Sequence, residues 1–166
     1  MLCGYGIKQS EKTERKVALN DIVIHRTGAL SVVNLIVFVN GEYLNTFRAD
    51  GIIISTPTGS TGYNMSAGGP IVDPKASMIL ITPINAHNLN SRSIVIGAED
   101  EVMIEIGERR SQKDETVEVS FDGDNAVGLE VGDKFLIRKA DSTTRICKLN
   151  NMSFLEILRK KMKAYT

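Results

Sequence analysis

Residues 48–70, with Phe47 in front, read FRADGIIISTPTGSTGYNMSAGGP, and the reading of the whole chain turns on them. Arg48 and, two residues on, Asp50 precede the apolar triplet Ile52, Ile53 and Ile54, which supplies a strand. Pro57 and Gly59 end that strand, and Ser60 or Thr61 offers a helix N-cap ahead of a helical turn over 63–67. Strand, hydroxyl- and glycine-rich loop and helix start in succession direct several backbone N–H groups at one spot. That arrangement suits a phosphate or the polar edge of a nucleotide. The same residues also build ordinary tight turns, in which an N-cap serine bonds only its own helix. Local chemistry leaves both readings open.

Working outward, the segment just upstream is a hairpin: VVNLIVFV and EYLNTF flank Asn40-Gly41, the preferred type I′ pair. It delivers the chain to Arg48 and Asp50 at a strand end, where binding residues often lie. Residues 16–25 alternate with both faces mostly apolar, which predicts one strand covered on both sides, interrupted by Asn20 and Asp21. A buried amide and carboxylate need partners; a ligand, or backbone at a bulge or sheet rim, would serve equally. The opening MLCGYGIK is strand-like but has no preceding element to pair with, so the chain reads as starting inside a larger architecture.

Downstream, 78–82 predicts a strand stopped by Pro83, followed by a loop in which His87 and Arg92 are either anion contacts or surface residues. Strands are expected over 93–96, 101–106, 116–121, 135–137 and 144–149, with a solvated hairpin end over 107–115 and a second hairpin turn at Asp122-Gly123. Only the end is helical. Ser153 and Glu156 form a capping box, Phe154, Leu155, Leu158 and Met162 an apolar stripe, and Arg159, Lys160, Lys161 and Lys163 suit the C-terminal end of the helix dipole. Helices do not alternate with strands, so the fold class is all-β: a β-sandwich of about nine to twelve short strands with a C-terminal amphipathic helix.

Composition narrows the function. The 166 residues suffice for one domain with a core, and 42% hydrophobic content argues against disorder. Lys plus Arg and Asp plus Glu are 20 each, which leaves no global field for nucleic acid or an anionic membrane. Two cysteines without a CxxC spacing and two histidines suggest neither a disulfide framework nor a metal cluster, and a reducing cytoplasm is the default. No signal peptide or membrane span is evident.

Three blocks, in order, resemble one family: ALNDIVIH at 18–25, FRADGIIISTPTGSTGYNMSAGGPIVDP at 47–74 and VSFDGD at 119–124, with TPINAHNLNSRSIV at 82–95 fitting the same pattern. Together they resemble the C-terminal domain of bacterial NAD kinases, the ATP- or polyphosphate-dependent enzymes that phosphorylate the adenosine 2′-hydroxyl of NAD to give NADP. The resemblance covers nearly the whole chain. It implies that Asn20 and Asp21 bind the adenosine, that Arg48 and Asp50 contact substrate, and that Thr61, Gly62, Tyr63, Asn64, Met65 and Ser66 wrap the dinucleotide. Asp124, where the family often has glutamine, is the last implied NAD contact. Gly62 replaces a usual alanine and Asp73 a frequent histidine.

The family's general base is the aspartate of a Gly-Gly-Asp-Gly motif in an N-terminal α/β domain, and these residues contain no such motif. A ribose hydroxyl is a poor nucleophile, so a carboxylate must accept its proton while the donor and a divalent cation align the phosphoryl group. The expectation is therefore a substrate-binding and oligomerisation half, residues 1–166, that binds NAD or NADP without catalysing. The complete enzyme would need magnesium and ATP or polyphosphate, none held tightly by this chain, and the missing N-terminal domain. The chain would be cytoplasmic and a homo-oligomer, with no catalytic residue or metal ligand of its own. The alternatives are a lipid kinase domain of the diacylglycerol or sphingosine type and a non-catalytic β-sandwich interaction module.

Overall fold

A computed structural model describes residues 1–9, 11–28, 32–87, 91–108, 117–147, 149 and 151–163. In chain order the elements are β1 (Leu2–Lys8), β2 (Glu11–Lys12), β3 (Lys16–Ala18), β4 (Asp21–Arg26), β5 (Val33–Val39), β6 (Glu42–Ala49) and β7 (Gly51–Ser55). A 3-10 turn (Gly59–Thr61) and a single-turn helix α1 (Tyr63–Ser66) follow. Then come β8 (Met78–Ile84), β9 (Ile94–Gly97), β10 (Val102–Ile106), β11 (Val117–Phe121), β12 (Asp124–Leu129), β13 (Lys134–Lys139) and the terminal helix α2 (Phe154–Lys163).

The strands form two sheets, with every pairing antiparallel. One runs β2-β1-β13-β10-β5-β6, with β3 also on β1; the other runs β12-β11-β4-β7-β8-β9. Leu35, Val37, Phe47, Ile104, Phe135 and Ile137 of the first meet Ile22, Ile24, Ile52, Ile54, Ile81, Val119 and Phe121 of the second in one buried cluster. Phe121 and Phe135 meet edge to face across it, with ring centroids 6.1 Å apart. Each such buried side chain contributes about 1.5–3 kcal/mol. This is the β-sandwich expected.

The middle strand of the opening stretch is buried on both faces. Ile52 and Ile54 enter the inter-sheet cluster, whereas Ile53 is buried outside it, with α1 packed against β7. That explains a run of three isoleucines where a half-exposed strand would alternate. Asn40 and Asp122 both have φ of +51°, followed by Gly41 at +80° and Gly123 at +93°, so both predicted hairpin turns take the left-handed conformations that Asn-Gly and Asp-Gly favour.

Other expectations are corrected. Residues 16–25 are two strands in different sheets: the chain leaves β3, crosses at Leu19-Asn20 and enters β4. A sequence apolar on both faces fits such a crossing as well as a two-sided strand, because each half buries its own inward face. The opening strand finds its partners later in the chain, in β13, β2 and β3. Strand β8 runs through Pro83, since its pairing with β9 stops at Ile81, opposite Ile94, and the missing N–H falls where the outer side is open. Residues 144–147 form no strand: β13 is already flanked by β1 and β10, and Ile146 is 65% exposed. Most of the expected solvated hairpin end at 107–115, the first residue of the strand at 116, part of the loop at 88–90 and residue 148 lie outside the described residues.

The capping box of α2 is present in both directions, Ser153 N donating to Glu156 Oε2 at 2.7 Å and Glu156 N to Ser153 Oγ at 3.2 Å. None of its described residues is buried, and Leu155 and Met162 are exposed. No helix among the described residues is long and apolar enough to cross a membrane.

Gly59 locks the loop after β7 onto the crossing. A Cβ there would stand 2.2 Å from Asn20 O and 2.7 Å from Ser55 Oγ, contacts that backbone cannot yield cheaply. Gly59→Ala should therefore cost about 2–4 kcal/mol in urea unfolding. Gly62→Ala, whose Cβ would meet only Gly59 O at 3.2 Å, should cost less than about 1 kcal/mol in the same measurement.

Candidate functional site

The crossing between the sheets leaves a short piece of backbone, Leu19 and Asn20, without ladder partners, and two distant segments bond it and the first residue of β4. The Asp122 carboxylate accepts N–H groups from Leu19 at 2.7 Å, Asn20 at 2.7 Å and Asp21 at 3.1 Å. From the other side, Thr56 Oγ1 donates to Leu19 O at 2.8 Å, while Thr56 N and Ser55 Oγ donate to Asn20 O at 2.8 and 3.3 Å. Thr56 Oγ1 in turn accepts the N–H of Gly59 at 3.0 Å. Three segments far apart in sequence thus meet at one node.

Beside that node opens a pocket of ≈ 690 Å³. Asn20, Asp21, Val23 and His25 form one wall, Thr58, Thr61, Gly62 and Tyr63 a second, and Ser120, Asp122 and Gly123 a third, with Lys161 of α2 at its margin. Tyr63 is half exposed on the wall, with its ring available to a flat partner. Asp21 is buried, 6% exposed, and loss of water together with the negative charge of Asp122 pushes its carboxyl up to about 6. A titrating carboxyl in a cleft is a recurrent mark of a working site.

The residues singled out from sequence divide into three groups. Asn20, Asp21, Thr61, Gly62 and Tyr63 line the pocket. Asn64 is fully buried and spent internally: its Nδ2 donates to Ser60 O at 3.1 Å and Pro70 O at 3.0 Å, and its Oδ1 accepts from Thr82 Oγ1 at 2.7 Å. It pins the AGGP turn; Met65 is partly buried and Ser66 exposed, neither of them on the pocket wall. Asp124 is exposed beyond the turn, and Asp122, two residues earlier, holds the wall in its place.

Arg48 and Asp50 lie elsewhere. Asp21 opposes Ser55 on the β4–β7 ladder, whereas Asp50 backs onto Arg26, whose N–H bonds Asp50 O at 3.0 Å. Five residues along an antiparallel strand is about 17 Å. There Asp50 accepts Arg26 Nε at 2.9 Å and Asn85 Nδ2 at 3.0 Å, and these two partners hold its carboxyl below the usual range. Arg48 is exposed, and its carbonyl accepts the N–H of His87 at 2.8 Å. His87 and Arg92 are both exposed.

The helix cap expected from Ser60 or Thr61 is also corrected. Gly62 occupies the N-cap of α1 with no side-chain hydrogen bond, and α1 is four residues long. Buried Ser60 instead bridges both ways to Val72, donating to its carbonyl at 3.1 Å and accepting its N–H at 3.0 Å. The loop is therefore shaped by its own cross-links rather than by a helix dipole.

Residues 19–149 match the family model described as the ATP-NAD kinase C-terminal domain. The chain belongs to the NAD kinase family. The NAD kinase of Agathobacter rectalis is 61% identical over 166 residues, 100% of this chain and 58% of that relative. That of Lachnospira eligens is 44% identical over 98% of this chain and 58% of its own length. The chain thus spans somewhat over half the length of these curated NAD kinases. Among solved structures, yeast NADH kinase complexed with NADH superposes with a TM-score of 0.76 at 36% identity, over 87% of this chain and 41% of that one. An NAD kinase from Archaeoglobus fulgidus in complex with ATP shares the fold, with a TM-score of 0.66 at 23% identity.

Within the NAD kinase fold seen here, Asp21 gives the pocket a measurable signature. Its folded carboxyl is pushed up to about 6, against 3.8 for a free aspartate, so the folded state holds the extra proton between those limits. Stability from this group is present below about pH 4 and lost as pH rises through 6. Asp21→Asn should remove that loss: relative to wild type, its unfolding free energy should gain about 1–2 kcal/mol between pH 4 and 7, read from urea melts across the range.

Proposed function

We propose that this chain is the dinucleotide-holding half of an NAD kinase, in which NAD or NADP lies in the pocket between Asn20-Asp21 and Thr61-Gly62-Tyr63. The carrying observation is that these two sequence blocks, 40 residues apart from Asp21 to Thr61, line one pocket. Asn20 and Asp21 offer an amide and a carboxyl for ribose hydroxyls and adenine edges, and Tyr63 offers an aromatic face for a base. The NADH bound in the yeast relative, 36% identical, favours a nucleotide in such a site.

The reaction of the complete enzyme is transfer of a phosphoryl group from ATP or polyphosphate to the adenosine 2′-hydroxyl. It needs a carboxylate to take the hydroxyl proton and, at the donor, a magnesium ion. The residues here do not make a magnesium cage: among those described no three His, Cys, Asp or Glu side chains converge, and both Asp122 oxygens are taken by amides. In this reading residues 1–166 bind without phosphorylating, in a cytoplasmic protein whose other half supplies the base and the donor site. Arg48 and Asp50, about 17 Å along the ladder from Asp21, lie off the pocket wall. A homo-oligomer would bring such outward-facing residues to a neighbouring copy.

Calorimetric titration of the folded chain with NAD and NADP should give saturable binding, weakened about tenfold by Tyr63→Ala if a base stacks on the ring. No heat at millimolar ligand from folded protein would overturn the reading. With NAD, ATP and magnesium the chain alone should form no NADP above background. Robust turnover abolished by Asp21→Asn would instead make Asp21 the proton acceptor.

A further inference from the structure

The pocket described above has one contributor that no motif announced. Lys161 lies in α2, a hundred residues beyond Thr61, yet its Nζ donates to Thr61 O at 3.3 Å and approaches Thr61 Oγ1 at 3.5 Å at the pocket margin. Among the described residues lining the pocket it is the sole lysine or arginine, against the carboxyls of Asp21 and Asp122. It nevertheless pairs with neither. Its described partners are a carbonyl and a hydroxyl, both neutral and both at the long end of hydrogen-bond range. An exposed ammonium so placed keeps donors in hand, and an anionic oxygen arriving at the pocket would offer it a shorter, charge-assisted bond.

The companions of this lysine explain why an anion would need it. Asp122 spends its oxygens on backbone amides, which blunts but does not cancel its charge, and Asp21 carries a further charge once ionised. A ligand bearing phosphates would meet net repulsion on that side unless a cation stood opposite. Lys161 stands at Thr61 on the lining of the same pocket, bonded to neither Asp21 nor Asp122 in any described contact.

We propose that Lys161 of the terminal helix is a phosphate-binding residue of this pocket, leaving Thr61 to bond the di- or triphosphate of the bound nucleotide or donor. This rests on the dinucleotide reading only in its NAD arm, because the same chemistry would hold a free polyphosphate. The terminal helix thereby acts as a strap: anion binding fixes α2, which buries no side chain of its own, to the loop after β7.

The test is calorimetry on the full chain with two probes, NAD and inorganic tripolyphosphate, at low and moderate salt, for wild type, Lys161→Met and Lys161→Arg. Lys161 is exposed, so thermal melts should superpose for all three. Lys161→Met should weaken at least one probe about five- to tenfold and flatten its salt dependence, with Lys161→Arg near wild type. A loss confined to NAD assigns the lysine to the dinucleotide's pyrophosphate; a loss confined to tripolyphosphate assigns it to the donor. If wild type binds tripolyphosphate through Lys161 but not NAD, this inference stands and the dinucleotide reading falls. Unchanged affinity of Lys161→Met for every probe that wild type binds, or no binding of either probe by wild type, overturns the inference.

Discussion

One carboxylate organises this domain. Asp122 sits in a left-handed turn conformation at the tip of the β11–β12 hairpin, and its two oxygens accept three successive N–H groups at the point where the chain passes from one sheet to the other. A sheet crossing must abandon its ladder for a residue or two, and its N–H groups then need other partners, each such bond contributing about 0.5–1.5 kcal/mol. Asp122 supplies those bonds from a hundred residues away. It also fixes the direction in which Asn20 and Asp21 project, because the backbone beneath them has no remaining freedom.

The carbonyls of the same crossing are satisfied from the opposite side by Thr56 and Ser55. The hydroxyl-rich run after β7 therefore has a first duty inside the fold: Thr56 and Ser55 hold the crossing, Ser60 clamps Val72, and Asn64 closes the turn at Pro70. What remains for a ligand is the outer rim of that run, Thr58, Thr61, Gly62 and Tyr63. The division is sharp because a side chain with all its hydrogen-bonding groups engaged and no exposure, like Asn64, has nothing left to offer a solute. Proximity in sequence to a binding loop is thus no guide to contact. Burial and the bond inventory decide.

What could be read from sequence was what is encoded locally. Asn40-Gly41 and Asp122-Gly123 announce their turns because few other pairs tolerate φ above zero twice in succession, and Ser153 with Glu156 announces a cap three residues long. The crossing at Leu19-Asn20 was hidden, since residues 16–25 show apolar positions on both faces whether one strand is covered twice or two strands are each covered once. The strand expected at 144–149, absent over the described residues 144–147, failed for a similar reason: periodicity records a strand's preference, whereas a vacant edge next to it is a property of the whole sheet. Half of the candidate pocket was legible through its motif blocks. Asp122 was legible only as a turn residue, and Lys161 only as a charge suiting a helix end.

The Arg48-Asp50 pair shows how far a motif can be trusted as a map. It is continuous in sequence with the pocket loop, and a strand of five residues separates the two. That strand is extended, so it carries its ends apart by its full length, and a continuous motif becomes two sites on opposite ends of one ladder. At its own end Asp50 is held by Arg26 and Asn85 and remains partly exposed, a charged group fixed in place but facing outward. A carboxylate needed only to tie β4 to the loop after β8 could be exchanged for a neutral acceptor at little cost. One that stays ionised, held by two partners and partly exposed keeps a fixed charge facing solvent. The geometry that separates Asp50 from the pocket therefore also sets where that charge is presented.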